Sequence, residues 1–260
     1  QVKHGAERPP FHQITESWET LADRQQFELA RQRYSTAASL GAGKVVVEIG
    51  CGTGYGLARL AEHVQAAIGI DIDAENLQTA KHRNPAALLI QGDATHLPLA
   101  SDSVDALVGL EVLYYFVDQE AFVNEAFRVV RRGGNVLLTM PNPQREAFQA
   151  SPYSSHYLTA EQLLDLLSRC GFEVDLYGAC PLAEESVTKE WIRRLLVRLR
   201  LIPRTIQGRA RMKRVITRGM KTLETIEIEP SAGFDDLERL DDPSSAAGFA
   251  IIVAVARHPS

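Results

Sequence analysis

Three short stretches carry residue types that could hold a nucleoside-like ligand. The first, Glu48-Ile49-Gly50-Cys51-Gly52-Thr53-Gly54, closes the β-branched run Val45-Val46-Val47 with alternate glycines. Glycines there let the backbone turn tightly and approach a ligand closely. The second is Asp71, which stands 21 residues after Gly50, at the end of the apolar run Ala67-Ile68-Gly69-Ile70. An acid so placed can accept both hydrogen bonds of a ribose diol. The third, Gly92-Asp93-Ala94, follows the apolar run Leu88-Leu89-Ile90. An aspartate there can accept from the exocyclic amine of adenine while a backbone N–H meets a ring nitrogen. Each stretch also has a plainer reading: a strand-to-helix turn, a helix-capping aspartate and an ordinary Gly-Asp turn. Asp73 is the better cap for the helix that follows, which leaves Asp71 free.

The elements that must position these residues alternate along the chain. Apolar runs at 45–49, 67–70, 88–90, 104–110, 135–140, 172–177 and 249–256 read as seven strands. Helical patterns fall at 17–40, 57–63, 74–83, 120–130 and 160–170, the last capped by Thr159 and ended by Gly171. Gly133-Gly134 is expected to stop the helix over 120–130. Strands alternating with helices imply βαβ units, and strands apolar on both sides suit a sheet covered on both faces. The expected fold is therefore α/β: a Rossmann-like, seven-stranded, mostly parallel sheet with helices on both faces. Ligands in such sheets sit beyond the carboxyl ends of the strands, where all three stretches fall.

Length and composition fit this picture. The 260 residues suffice for one large α/β domain with an insertion, and the charged fraction of 23% is ordinary. Three cysteines, Cys51, Cys170 and Cys180, make neither a disulfide framework nor a CxxC zinc pair, so reduced thiols and a cytoplasmic setting are expected. No run approaches the roughly 20 apolar residues of a membrane span, and Gln1-Val2-Lys3-His4-Gly5 does not read as a signal peptide. The net charge of −5 is unevenly spread. Residues 189–221 hold twelve lysines and arginines against one acid, Glu190, a charge of +11 that leaves −16 on the rest.

Val45 to Gly56, Gly69-Ile70-Asp71, Gln91-Gly92-Asp93-Ala94, Leu97-Pro98 to Val108, and Arg131-Arg132-Gly133-Gly134 together resemble class I S-adenosylmethionine-dependent methyltransferases. The likeness is strongest to the branch with small-molecule and lipid-linked acceptors, and covers about residues 30 to 180 and the last strand. It implies S-adenosylmethionine as cofactor and a role for each matching position. Glu48 would support the glycine loop and the methionine amino group, with Gly50, Gly52 and Gly54 lining the methionine moiety. Asp71 would bind the ribose, Ile72 would pack on the adenine, and Asp93 and Ala94 would read its edge. Leu110 would offer its backbone to the methionine end, and Tyr34 resembles a helix tyrosine that covers the cofactor. Tyr115 stands where the family often has a histidine, so no histidine base is expected there and no metal.

Three regions follow from this reading. Residues 1–40 form an arm and helix over the cofactor site, 41–180 with 248–260 form the core, and 181–247 form a basic helical insertion or lid. Methyl transfer to a hydroxyl needs the acceptor proton removed, and the candidate catalytic residues are His156, Tyr115 and His12. The expected acceptor is an O or N atom of a small molecule, sugar or lipid-linked glycan. The basic segment suits an anionic membrane surface, a phosphate-rich acceptor or self-association, and equally a cap over the sheet edge. An RNA methyltransferase using residues 189–221 is the alternative, although the Asn/Asp-Pro-Pro-aromatic motif of base methylation is absent after the fourth strand. A nicotinamide dehydrogenase fits the glycine spacing poorly, and a non-catalytic binding module ranks last.

Overall fold

The computed structural model describes residues 21–22, 24–145, 148–151, 153–182 and 221–260. The arm with His12 and the basic stretch up to residue 220 lie outside the described residues.

In chain order the elements are β1 (Leu21–Ala22), α1 (Arg24–Gly41), β2 (Val45–Ile49), α2 (Tyr55–Leu60), β3 (Ala66–Asp71), α3 (Ala74–Arg83), β4 (Leu88–Gln91) and β5 (Val104–Leu110). Then come α4 (Gln119–Val129), β6 (Val130–Pro141), α5 (Ala160–Arg169), β7 (Glu173–Pro181), β8 (Lys221–Thr222), β9 (Leu237–Arg239) and β10 (Phe249–Arg257). The main sheet has the order β4-β3-β2-β5-β6-β10-β7-β9. Its first five strands are parallel neighbours, while β10 runs antiparallel to both β6 and β7. This is the expected Rossmann-like α/β architecture, with two corrections.

The main sheet has eight strands, not seven. The extra one, β9, pairs with β7 at the edge through Tyr177↔Arg239 to Ala179↔Leu237. It lies inside the span expected to be a helical insertion. Residues 221–247 contain β8, β9 and short 3-10 turns, and bury Leu223, Ile226 and Ile228 against the face that carries α1. A three-residue strand has too few side chains to show an alternation, which is why the pattern hid it. The second correction concerns Gly133-Gly134. The chain leaves α4 directly into β6 at Val130, and both glycines lie inside that strand, at a break of register between β5 and β6. Gly133, at φ 72°, supplies the turn of a bulge rather than a helix stop.

Side chains from alternate strand positions build two cores. Val46, Val108 and Leu137 face α1 and α2, while Val47, Leu107 and Leu138 face α4 and α5. Helix starts are fixed by short polar side chains. Asp73 accepts from the backbone N–H of Glu75 and Asn76, Asp118 from that of Ala121, and Thr159 forms a reciprocal capping box with Gln162. Among the described residues no helix is long and apolar enough to cross a membrane.

Candidate cofactor and acceptor site

The carboxyl ends of β2, β3, β4 and β5 open into one cavity of about 510 Å³. That volume lies in the roughly 300–1,000 Å³ range of small-molecule sites. The strand order reverses between β2 and β5, so the cavity occupies the topological switch point.

The glycine loop after β2 is held in a shape few other residues could take. Gly50, Gly52 and Gly54 have φ of 69°, 54° and 75°. A Cβ on Gly50 would stand 2.5 Å from Val112 Cγ2. The N–H groups of Gly50 and Cys51 both donate to the carbonyl of Ile70, at 2.7 and 3.2 Å. The loop therefore hangs on the end of β3.

Asp71 tightens this link. Its Oδ2 accepts from the N–H of Gly52 and its Oδ1 from that of Asp73, both at 2.8 Å. Asp73 does cap α3, but Asp71 is not left free as the sequence suggested. Each carboxylate oxygen has a further lone pair, so the buried group can fasten the loop and still accept from a ligand.

Glu48 is buried at 2% exposure, and the hydroxyl of Tyr34 donates to its Oε1 at 2.7 Å. Its Oε2 is also buried and has no hydrogen-bond partner among the described residues. Burial pushes the carboxyl up to about 8, against the opposing pull of the Tyr34 hydrogen bond and Arg33. A buried acceptor atom left open at the cavity wall costs free energy until a donor arrives. An ammonium group would satisfy it. Tyr34 also lies against Gly56, where an added Cβ would run into its ring. Gly56→Ala is therefore expected to destabilise the fold by about 1–3 kcal/mol and to displace Tyr34 from Glu48. Thermal unfolding and ligand titration should show both effects together.

On the β4 side, Asp93 is exposed and its Oδ1 accepts from the N–H and hydroxyl of Thr95, at 2.9 and 2.8 Å. Ile72, Ala94 and Leu110 line the same cavity. Of the ten residues expected to bind the cofactor, nine line it and Gly54 turns the loop behind it, its Cα facing Ala80.

The catalytic candidates fare differently. Tyr115 lines the cavity, and its hydroxyl bonds to Ser151 Oγ at 3.2 Å. Burial raises its hydroxyl above the ordinary tyrosine value, which keeps it a neutral donor rather than a proton acceptor. His156 is exposed and is not among the cavity-lining residues. Its carbonyl accepts from Gln119 Nε2 at 2.8 Å, so its backbone tethers the loop. His12 lies outside the described residues.

Two residues that sequence reasoning missed stand in the cavity. Arg33 projects from α1 beside Tyr34, and Glu111 follows β5. Glu111 adopts φ 58°, rare for a residue with a Cβ, and such strain costs on the order of 1–3 kcal/mol. The motif spacing pointed only at strand ends and glycines, and nothing in it marks an arginine in mid-helix. Beyond Glu111 the wall turns aromatic. Tyr114 stacks on Tyr157 with ring centres 4.4 Å apart and leans on Tyr115 at 4.5 Å.

Fold and site together define an α/β domain with a cavity of small-molecule size at its switch point. Residues 47–138 match the family described as a methyltransferase domain. Around that span the chain is similar to S-adenosylmethionine-dependent methyltransferases. It is 37% identical over 147 residues to a protein of Mycolicibacterium smegmatis named as a probable S-adenosylmethionine-dependent methyltransferase, covering 55% of this chain and 57% of that one. It is 34% identical over 116 residues to a fatty-acid O-methyltransferase of the same organism, covering 43% of this chain and 42% of that one. The chain thus spans about half the length of the curated relatives it matches. A solved S-adenosylmethionine-dependent methyltransferase from Archaeoglobus fulgidus shares the fold, with a TM-score of 0.58 at 16% identity, covering 89% of this chain and 94% of that one.

Proposed function

We propose that this protein binds S-adenosylmethionine and transfers its methyl group to an O or N atom of a small molecule, sugar or lipid-linked acceptor. The observation that carries the reading is the charge of the cavity wall. Five acidic side chains face it, Asp71, Asp93, Glu111 and Asp118 beside a Glu48 that burial keeps protonated below about pH 8, and Arg33 is the one cation among the described lining residues. Such a wall repels the diphosphate of a nicotinamide dinucleotide and favours a net cationic ligand. The open Oε2 of Glu48 suits the amino group of the methionine end, and Asp71 suits the ribose diol.

When bound, the cofactor supplies a methyl carbon made electrophilic by its sulfonium. The chain's residues align and enclose. Tyr34 covers one side, and the glycine loop fixes the methionine end through its tether to Asp71 and Ile70. Alignment of this kind can supply about 7–11 kcal/mol of a displacement barrier in good cases. The acceptor side is walled by Tyr114, Tyr115 and Phe116, with Val117 exposed at 92% on the rim. This wall supports an acceptor with an apolar or ring-bearing body. The O-methylating relative with a fatty-acid acceptor points the same way. An acceptor held against this wall would have to give up its proton as it takes the methyl, to a group of the wall or to water.

Labelled methyl from S-adenosylmethionine, offered with a host extract, tests this. Label is expected in the small-molecule or lipid and glycan fractions. Label in RNA would replace the proposed acceptor class with the nucleic-acid reading, and label in no fraction would count against transfer.

A further inference from the structure

Helix α1 brings Tyr34 to Glu48, and a segment far along the chain grips the helix from its other side. Residues 34 and 36 stand about 200° apart around a helix axis, so a hold on Thr36 comes from opposite the cavity. The hydroxyl of Thr36 donates to the carbonyl of Gly233 at 2.5 Å, and shares its proton with the carbonyl of Gln32 one turn back, at 3.0 Å. Ser35 Oγ accepts from the backbone N–H of Glu229 at 2.9 Å. Gly233 lies so close to the helix that an added Cβ would stand 2.7 Å from the carbonyl oxygen of Ser35. Ser35 and Thr36 are 0% and 2% exposed, so water does not compete for these bonds.

The same segment reaches the second helix beside Tyr34. Arg59 of α2 donates from Nη2 to the carbonyl of Glu224 at 2.8 Å. Leu223, Ile226 and Ile228 are buried in the core that also holds Phe27, Tyr34 and Leu57. The ion pair of Arg31 with Asp236, at 3.4 Å and largely exposed, adds little. Residues 223–236 thus tie α1 to α2, and Tyr34 sits where the two helices meet. Its ring lies against Gly56 and 5.7 Å, centre to centre, from that of Tyr55. Neither α1 nor this segment falls within residues 47–138, so the fastening lies outside the matched core.

A tyrosine that covers a ligand works only while its helix keeps its register. The bond from Tyr34 to Glu48 is 2.7 Å long, and a shift of α1 by about 1 Å would break it. Resting on the cofactor reading above, we propose that Ser35, Thr36 and Gly233 are positioning residues. Through them residues 223–236 fix the register of α1 and so hold Tyr34 over the cofactor. None of the three lines the cavity. A stretch that follows the basic region is thereby part of the cofactor site without touching it.

Calorimetric titration of the full chain with S-adenosylhomocysteine, beside thermal unfolding, tests this. Thr36→Val keeps the shape of the side chain and removes the hydroxyl. It is expected to weaken binding roughly three- to tenfold at a temperature well below its melting point. Thr36→Ser restores the hydroxyl and should bind within about twofold of the parent. Gly233→Ala, which presses a methyl onto the backbone of α1, should reproduce the loss from the other side. In the background of Tyr34→Phe, Thr36→Val is expected to add no further loss, since the hydroxyl it positions is already gone. Lower melting temperatures with unchanged affinity would make the fastening merely structural and overturn the proposal. A Thr36→Val loss that stays the same size beside Tyr34→Phe, or that Thr36→Ser fails to rescue, would do the same. Parent protein that binds no S-adenosylhomocysteine would sink the cofactor reading, and the role given to this segment with it.

Discussion

Replacing Asp71 with alanine is expected to lower affinity for S-adenosylhomocysteine by about 10²–10⁴-fold. A ribose diol would give its carboxylate two hydrogen bonds, and bonds to a charged group are worth about 1.5–3 kcal/mol each. The same substitution strips the N–H groups of Gly52 and Asp73 of their acceptor. Leaving a buried donor unpaired costs about 1–3 kcal/mol, so the melting temperature should fall by several degrees as well. Asp71→Asn separates the two effects. It keeps an acceptor for Gly52 or Asp73 but presents an amide to the ribose, so it should retain more stability than binding. Calorimetry beside thermal unfolding reads both. Unchanged affinity in Asp71→Ala would refute the ribose assignment.

The second large effect is a pH dependence centred on Glu48. Its carboxyl titrates at about 8 in the folded protein, against an ordinary value of 4.5. The folded state therefore holds a proton that the unfolded chain has already lost. Stability from this group is complete below about pH 4.5 and is lost as pH rises toward 8, at roughly 1.4 kcal/mol per unit. An ammonium placed on Oε2 favours the charged form, so ligand binding below pH 8 must expel the proton. Affinity for S-adenosylhomocysteine is expected to rise nearly tenfold per pH unit between 6 and 8, then level off. The binding enthalpy should differ between phosphate and Tris by close to the difference between the two buffers' ionisation heats, the mark of about one proton released. Glu48→Gln should remove the pH slope, bind at least tenfold more weakly at pH 8, and unfold at a higher temperature there than the parent. A flat affinity profile in the parent would show that no ammonium meets Glu48.

The parts of this site that depend on backbone shape were legible in the sequence. Alternate glycines after a β-branched run, an acid at the end of the next strand and Gly-Asp after the third are local signals, and each lands at the cavity. What was not legible was set by distant packing. The role of Asp71 as a fastener for Gly52 needs two strand ends to meet, which spacing alone does not show. Gly133-Gly134 carries the letters of a helix stop, yet its partner is β5, whose register shift absorbs the extra residues. β9 is visible only beside the edge of β7. His156 drew notice because its loop follows β6; it is exposed, and its carbonyl accepts from Gln119 Nε2. Arg33 and Glu111 became neighbours only when α1 crossed the end of β5.

The antiparallel strand β10 joins two parts of the sheet that do not otherwise meet. Residues 249–257 sit between β6 and β7 and exchange ladder bonds with both along nearly their whole length. Asn142, buried after β6, adds bonds from its side-chain amide to the carbonyls of Ala246 and Phe249, at 2.8 and 3.1 Å. β10 is thus wedged between two strands and clamped from either side. Within the sheet β6 and β7 meet only through β10, which therefore acts as a keystone: until it inserts, this side of the sheet stays open.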